Sequence, residues 1–148
     1  MSSKTIMITG ATSGFGEACA RLFASHGWQL ILTGRRQQRL DDLQQELGGI
    51  DKVATCCFDV TDRKAVESAI NSLSEPFKKI DVLLNNAGLA LGLEPAHETN
   101  LDDWEKMVDT NIKGLLYCTR TVLPMMTERQ SGYIINIGSI TGKWAYTG

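Results

Sequence analysis

Short apolar runs alternate along the chain with longer stretches in which apolar residues recur at helical spacing. The runs predict strands over residues 6–8, 30–32, 53–58, 82–84 and 133–137. The stretches between them predict helices near residues 15–23, 40–47, 66–73 and 101–126. Repeated β-α-β order is typical of an α/β fold, and it predicts a Rossmann-like doubly wound parallel sheet in one domain spanning residues 1–148.

Capping and breaking residues set the expected ends of these helices. Gly27 is placed to end the first helix, and Thr61 or Asp62 can cap the third. The long stretch after residue 100 is expected to break near Gly114, and Pro124 should kink it or mark its last turns.

The charge balance and the termini narrow the class of protein. The chain has 148 residues, with 15 basic and 17 acidic ones, which argues against binding to nucleic acid. No apolar run approaches the roughly 20 residues needed to cross a bilayer. The first four residues lead straight into an apolar run and leave no room for a signal peptide, so we expect a cytoplasmic protein without membrane contact.

The cysteines and histidines do not suggest a metal site. Four cysteines are present, at positions 19, 56, 57 and 118, and none forms a Cys-x-x-Cys pair. We expect buried, reduced thiols, with the side chains of Cys56 and Cys57 pointing to opposite faces of their strand. His26 and His97 lie too far apart in sequence to suggest paired ligands.

A glycine-rich turn follows the first predicted strand and opens the first helix. It comprises Gly10, Ala11, Thr12, Ser13, Gly14, Phe15 and Gly16. Glycine permits a tight turn and a close approach of the backbone to a pyrophosphate, and the helix N-terminus offers free N–H groups to the anion. The spacing Gly-x-x-x-Gly-x-Gly therefore predicts a dinucleotide site, with an ordinary tight turn as the alternative.

The end of the second strand indicates which dinucleotide binds. NAD sites place an acidic residue there to accept hydrogen bonds from the ribose hydroxyl, but this chain has Arg35 and Arg36 instead. Guanidinium groups can grip a 2′-phosphate, so the sequence favours NADP. The alternative is that both arginines are solvated residues at the start of the next helix.

Further candidate residues follow the later strands or interrupt the long helix. They are Asp59, Val60, Asn85, Asn86, Ala87, Gly88, Asn111 and Ser139. Each has an ordinary structural alternative, as a bonded corner, a helix residue or a cap. In this order, together with the glycine turn, they resemble the short-chain dehydrogenase/reductase family over the whole chain.

The resemblance implies a role for each of these residues. Asp59 would bond the adenine amino group, with Val60 beside it. Asn86, Ala87 and Gly88 would pack against the adenosine ribose and brace the sheet. As catalytic residues, Asn111 would help hold a water in a proton relay, and Ser139 would also bond the oxygen of the substrate.

A narrower resemblance concerns the substrate. The segments 33–36, 88–92 and 94–97 are similar to those of bacterial NADP-dependent 3-hydroxy acid dehydrogenases that also oxidise serine and allo-threonine. This implies hydride transfer between NADP and the hydroxyl-bearing carbon of a hydroxy acid. His97 and Glu94 are candidates to face the substrate, but we favour the interpretation that both are solvated loop residues.

Family members carry a Tyr-x-x-x-Lys pair about a dozen residues after the serine, in which the lysine lowers the tyrosine pKa. Tyr146 is too close to Ser139 to be that tyrosine, and Lys143 precedes it. We therefore expect a fragment that stops after the fifth strand and leaves residues 133–137 as an exposed apolar edge.

Two alternative functions and the oligomeric state remain open from the sequence alone. The chain could be a catalytically incomplete nucleotide-binding module that acts through partners, and a nucleotide-sugar epimerase is a less favoured relative. Residues 112–126 resemble the helix that pairs subunits in family tetramers, which implies a homo-oligomer. Burial against the chain's own sheet explains the same apolar pattern equally well.

Overall fold

The computed structural model describes residues 3–144, which form one five-stranded parallel sheet with helices on both faces. The strands are β1 (Thr5–Ile8), β2 (Gln29–Gly34), β3 (Val53–Cys57), β4 (Val82–Asn85) and β5 (Tyr133–Asn136). The α-helices are α1 (Gly14–Ser25), α2 (Gln37–Glu46), α3 (Arg63–Asn71), α4 (Leu101–Val108) and α5 (Leu115–Glu128). The predicted fold class is confirmed.

The strand order is β3-β2-β1-β4-β5, so the chain crosses from one half of the sheet to the other between β1 and β4. Ligands of such sheets bind beyond the carboxyl ends of the strands at this crossover. The turns after β1 and β4 therefore lie side by side at the expected binding edge.

Alternate residues of the central strands feed two separate cores. Met7, Ile31 and Leu83 pack with buried residues of α3 and α5 on one face of the sheet. Ile6 and Leu30 pack with residues of α1 and α2 on the other face. Because both faces are covered, the middle residues of these strands are continuously apolar, which is the pattern that predicted them.

The helix ends follow the predicted capping residues. The carboxylate of Asp62, not the hydroxyl of Thr61, accepts the cap hydrogen bond of α3, from the amide of Ala65 at 3.0 Å. Gly27 follows α1 with a φ of +74°, a backbone conformation that glycine adopts without strain. Pro124 lies within the last turns of α5, as expected.

The expected break near Gly114 is a π-helical segment, Asp109–Gly114, that joins α4 to α5 without interrupting the helix. The glycine allows a close approach there, because a Cβ at position 114 would lie 2.7 Å from Cγ2 of Val60. None of the helices in residues 3–144 is both long and apolar enough to cross a membrane.

β5 is an edge strand whose apolar side chains are open to solvent. Tyr133 is 74% exposed and Ile135 is 43% exposed. The predicted exposed apolar edge is confirmed for the described residues.

The prediction of buried thiols holds only in part. All four cysteines are free, and Cys118 lies in the core. Burial raises the pKa of the Cys118 thiol to about 12. Cys56 packs against the same core while Cys57 is exposed, so the prediction is wrong for Cys57. The alternation of side chains along β3 places these neighbours in different environments.

Candidate functional site

The turns after β1 and β4 are joined by hydrogen bonds through Thr9 and Asn86. The Thr9 hydroxyl oxygen accepts from the amides of Asn86 and Ala87, each at 3.0 Å. Nδ2 of Asn86 donates to the carbonyl oxygens of Thr9 at 2.9 Å and Gly10 at 3.2 Å. These bonds fix the position of the glycine turn relative to the turn after β4.

Two glycines of the turn are required by this close packing. Gly10 has a φ of +65°, and a Cβ there would lie 2.9 Å from Cα of Ala87. A Cβ on Gly16 would lie 2.4 Å from the carbonyl oxygen of Gly10 and 2.5 Å from Nδ2 of Asn86. Both positions therefore exclude any side chain unless the backbone moves.

The start of α1 leaves backbone donors available to an anion. The first amides of a helix have no intrahelical acceptor. Ser13 occupies the cap position, yet its side chain makes no cap hydrogen bond among the described residues. Gly14 has a φ of +57°, and the space around the position of its missing Cβ is open for 4 Å within residues 3–144. An anion can thus approach these amides closely.

The two arginines after β2 have different surroundings. The Arg35 side chain is 69% exposed, and its Nη1 lies 3.4 Å from Oδ2 of Asp59. The Arg36 guanidinium instead turns back to the glycine turn, where it donates to the hydroxyl and the carbonyl oxygen of Thr12. The guanidinium of Arg35 is therefore open to a ligand, whereas that of Arg36 is already bonded to the glycine turn.

Asp59 follows β3 and is held by its own turn. Its Oδ1 accepts from the amide and the hydroxyl of Thr61, both at 2.9 Å. Partial burial alone would raise the pKa of Asp59, but the bonds from Thr61 and the charge of Arg35 outweigh it, so the pKa lies below its ordinary value. The group is a carboxylate at neutral pH.

These residues surround one cleft of about 530 Å³, a size common for ligand pockets. Its lining includes most of the predicted cofactor residues, namely Gly10, Thr12, Ser13, Gly14, Phe15, Arg35, Arg36, Asp59, Val60, Asn86, Ala87 and Gly88. Ala11 and Gly16 are buried beneath the turn. Ser139 and Asn111 lie outside this lining, although Leu89 and Thr110 beside Asn111 belong to it.

Asn111 lies in the π-helical segment and anchors the loop that follows the cleft. Its Oδ1 accepts from the Leu89 amide at 2.9 Å, and its Nδ2 donates to the Leu89 carbonyl oxygen at 2.8 Å. A Cβ on Gly88 would lie 3.2 Å from the same Oδ1. The side chain thus fixes the start of the loop over residues 88–99.

Ser139 follows β5 and caps the 3₁₀ turn Ile140–Gly142. Its Oγ accepts from the amide of Thr141 at 3.2 Å and from the Thr141 hydroxyl at 2.8 Å. Because both of these bonds use the oxygen of Ser139 as acceptor, its own O–H remains available as a donor.

The other candidates take local partners or fall outside the structure. Glu94 accepts from the amide of Leu93 at 2.9 Å, and the exposed His97 lies 3.4 Å from Glu98. Tyr146 lies outside the described residues. Residues 3–144 contain no group of acidic, histidine and cysteine side chains that could hold a metal ion.

Sequence reasoning missed a polar cluster beneath the site, in which Asn85 is buried, Thr119 is half-buried and Asn136 is exposed. Nδ2 of Asn85 donates to Oγ1 of Thr119 and to Oδ1 of Asn136, each at 2.9 Å. The cluster joins β4, β5 and α5. Its member on β5, Asn136, lies three residues before Ser139. Only the polar positions within otherwise apolar strands could have signalled it, since their partners are 34 and 51 residues away.

A family model described as short chain dehydrogenase matches residues 4–148. The chain belongs to the short-chain dehydrogenase family. An NADP-dependent 3-hydroxy acid dehydrogenase of Salmonella typhi is 55% identical, with 97% of this chain and 57% of the relative covered. Sulfoacetaldehyde reductase 2 of Chromohalobacter salexigens is 52% identical over 147 residues, 99% of this chain and 58% of its own length.

Solved structures of family members share this fold. A serine dehydrogenase from Escherichia coli is 53% identical with a TM-score of 0.94, over 97% of this chain and 66% of that one. A closed form of serine dehydrogenase complexed with NADP⁺ has the same identity and TM-score, over 97% of this chain and 57% of that chain. This short-chain dehydrogenase chain thus spans a little over half the length of the curated relatives it matches.

Proposed function

We propose that the protein is an oxidoreductase that transfers hydride between NADP and the hydroxyl-bearing carbon of a 3-hydroxy acid or a hydroxy amino acid. Serine and allo-threonine are the expected type of amino acid. The observation that carries the proposal is the cleft at the crossover of the sheet, where helix amides and Arg35 surround one space. The names of the similar dehydrogenases support the substrate class.

The residues present fit NADP. The uncapped amides of α1 suit the diphosphate, because an anion there meets both N–H donors and the positive end of the helix dipole. Arg35 suits the 2′-phosphate, since no carboxylate occupies the end of β2 and the guanidinium is exposed. Asp59 and Val60 are proposed to contact the adenine, and Asn86, Ala87 and Gly88 the adenosine ribose.

Ser139 is the proposed catalytic residue, and Asn111, expected to help hold a water in a proton relay, is proposed to act as a positioning residue. NADP held in the cleft would supply the chemistry of hydride transfer. Ser139 donates its O–H to the substrate oxygen and so orients the reacting carbon. Asn111 acts by fixing Leu89 beside the cleft. Oxidation also releases a proton, and we assign its acceptor to none of residues 3–144, where no tyrosine precedes a lysine by four positions.

The cofactor proposal is tested by fluorescence titration with NADPH and with NADH. Arg35→Asp is expected to weaken NADPH binding by about 100-fold and NADH binding by less than about threefold, because the new carboxylate repels the 2′-phosphate. Arg39→Asp on α2 is the matched control for the same change in charge. Equal losses for both cofactors in Arg35→Asp would contradict the assignment.

The activity is tested on the full-length protein with NADP⁺ and a panel of L-serine, L-allo-threonine and 3-hydroxypropionate, and in the reductive direction with NADPH and sulfoacetaldehyde. Reduction of NADP⁺ by the hydroxy acids supports the proposal. NADPH binding by the full-length protein without turnover of any panel member would favour the alternative, a nucleotide-binding module that acts through partners. Ser139→Ala should lower kcat by about 100-fold without changing the NADPH Kd.

We also propose that the protein is a homotetramer. Four apolar side chains at i, i+4 spacing form an exposed stripe from α4 through the π-helical segment into α5, namely Trp104, Val108, Ile112 and Leu116. Light scattering on the purified protein is expected to give four copies, and Ile112→Glu to give fewer. A wild-type monomer would refute the proposal.

We also propose that the protein is located in the cytoplasm. All four cysteines are free, which is usual for proteins of reducing compartments. Fractionation of cells that express the tagged protein should place it with a cytoplasmic marker, and recovery with periplasmic or membrane markers would contradict this location.

A further inference from the structure

The guanidinium of Arg36 is fixed to the glycine turn by three hydrogen bonds. Its Nη2 donates to Oγ1 of Thr12 at 2.8 Å and to the Thr12 carbonyl oxygen at 3.0 Å, and its Nε donates to the same Oγ1 at 3.2 Å. Residues 24 positions apart are thereby joined. Charged donors make stronger hydrogen bonds than neutral ones, so this contact is a firm link between the end of β2 and the turn.

Thr12 is held from a second side by Gly34. A Cβ at position 34 would lie 2.9 Å from Cγ2 of Thr12, so the glycine leaves the space that the threonine methyl group needs. The neighbouring amide of Ala11 donates to the carbonyl oxygen of Thr33 at 2.9 Å. Thr12 is consequently buried, with its hydroxyl directed to Arg36.

Arg35 differs from Arg36 in having, among the residues that the structure describes, one charged contact and no bond to the glycine turn. Its side chain is mostly exposed, and the single ion pair with Asp59 at 3.4 Å joins two solvent-accessible groups. Such pairs are weak, so a ligand phosphate can replace the carboxylate as the partner of Arg35. Arg36 would have to give up three bonds to turn toward the same phosphate.

We propose that Arg36 is a positioning residue that acts through Thr12 to hold the diphosphate-binding turn, while Arg35 alone reads the 2′-phosphate. The inference rests on the proposed function and gives the two arginines different roles in cofactor binding. The turn amides serve the diphosphate, which NADP and NAD share. Arg36 therefore supports the affinity for both cofactors, and Arg35 decides between them.

Calorimetric titration with NADPH and NADH separates the two roles. Arg36→Ala is expected to raise the Kd of both cofactors by a similar factor, about tenfold, and to leave their ratio within about twofold of wild type. Arg35→Ala should raise the NADPH Kd by at least about 30-fold more than the NADH Kd. A loss confined to NADPH in Arg36→Ala, as large as that in Arg35→Ala, would overturn the proposal.

A double-mutant cycle tests whether Arg36 acts through the hydroxyl of Thr12. Thr12→Val removes the acceptor of two of the three bonds, and Thr12→Ser keeps it. Adding Arg36→Ala to Thr12→Val should cost less than half of its effect, on a logarithmic scale, in the wild-type background. In the Thr12→Ser background the full effect is expected. Additive effects in the Thr12→Val background would contradict the link.

Hydrogen exchange in the ligand-free protein provides a readout that does not depend on the cofactor. Arg36→Ala is expected to speed exchange of the Ala11 amide, which donates to the Thr33 carbonyl oxygen beside Thr12, while Arg35→Ala leaves it unchanged. Unchanged exchange in Arg36→Ala would refute the positioning role. If the wild type binds neither cofactor, the proposed function fails, and this measurement still decides the role of Arg36 because it needs no ligand.

Discussion

β4 and β5 are neighbouring strands of similar apolar sequence with opposite exposure. All four residues of β4 are buried, because strands flank it on both sides and helices cover both faces. Within residues 3–144, β5 pairs with β4 on one side only, and most of its residues are exposed. An apolar run thus predicts a strand, but its neighbours decide whether burial of that strand contributes to stability.

The same contrast separates the two parts of the proposed site. The cofactor side, built around the turns after β1, β2, β3 and β4, is fixed by the buried strands β1 and β2 and by hydrogen bonds between turns. Ser139, on the substrate side, follows the exposed strand and is held by bonds to Thr141. We therefore expect the folded state to tolerate substitutions better around β5 than around the glycine turn.

The largest expected difference comes from two register partners, Leu84 and Ile135. Leu84→Ala should lower the free energy of unfolding by about 3 kcal/mol, because it leaves a cavity between covered layers. Ile135→Ala should cost less than about 1 kcal/mol, since 43% of that residue is already exposed. Urea unfolding followed by circular dichroism measures both, and equal losses would break the comparison.

The second test compares two glycines. Gly16→Ala is expected to cost about 2 kcal/mol, because the new Cβ would lie 2.4 Å from the Gly10 carbonyl oxygen and the turn would have to move. Gly138→Ala is the control, with no described atom within 4 Å of the added Cβ and an expected change within about 0.5 kcal/mol. An equal loss of unfolding free energy in Gly138→Ala and Gly16→Ala would contradict this comparison.

A smaller effect is expected from the carboxylate of Asp59. Its folded-state pKa lies below the ordinary 3.8, so the carboxylate favours the folded state above that pH, and this contribution is lost as the pH falls through the folded-state pKa. Wild type should lose more stability between pH 7 and pH 3 than Asp59→Asn, by less than about 1 kcal/mol. Urea unfolding at both pH values measures this, with Asp51→Asn in an exposed turn as the control. A steeper loss in Asp59→Asn would contradict the sign.

The last test measures how fast the cysteine thiols react in the native protein, without changing its stability. Cys57, on the edge strand β3, should react with Ellman's reagent in the native protein, whereas Cys118 should react only after unfolding, since burial raises its pKa to about 12. Cys57→Ser should remove the fast phase. Fast labelling of Cys118 would show that the core near β5 opens more readily than its packing indicates.

The sequence predicted every strand, the capped and glycine-bounded helix ends and most residues that line the cleft. It did so because these features depend on spacing within one element or turn, such as the alternation of apolar runs or glycines at positions 10, 14 and 16. It did not predict the π-helical segment, for which the close approach of Val60 to Gly114 is a tertiary contact. It named both Arg35 and Arg36 as possible partners of the 2′-phosphate, because the bonds that tie Arg36 to Thr12 are tertiary contacts as well.

The sequence alone determined the parallel α/β fold, the glycine turn and the positive charge after β2. Only the tertiary structure decided that Arg36 bonds Thr12, that Asn111 anchors Leu89, and that Asn85 joins β4 to β5 and α5. The physical reason is that these partners lie 22 to 51 residues apart, and the strand order brings them within hydrogen-bond distance. Local spacing selects the elements, and their packing selects which polar groups meet.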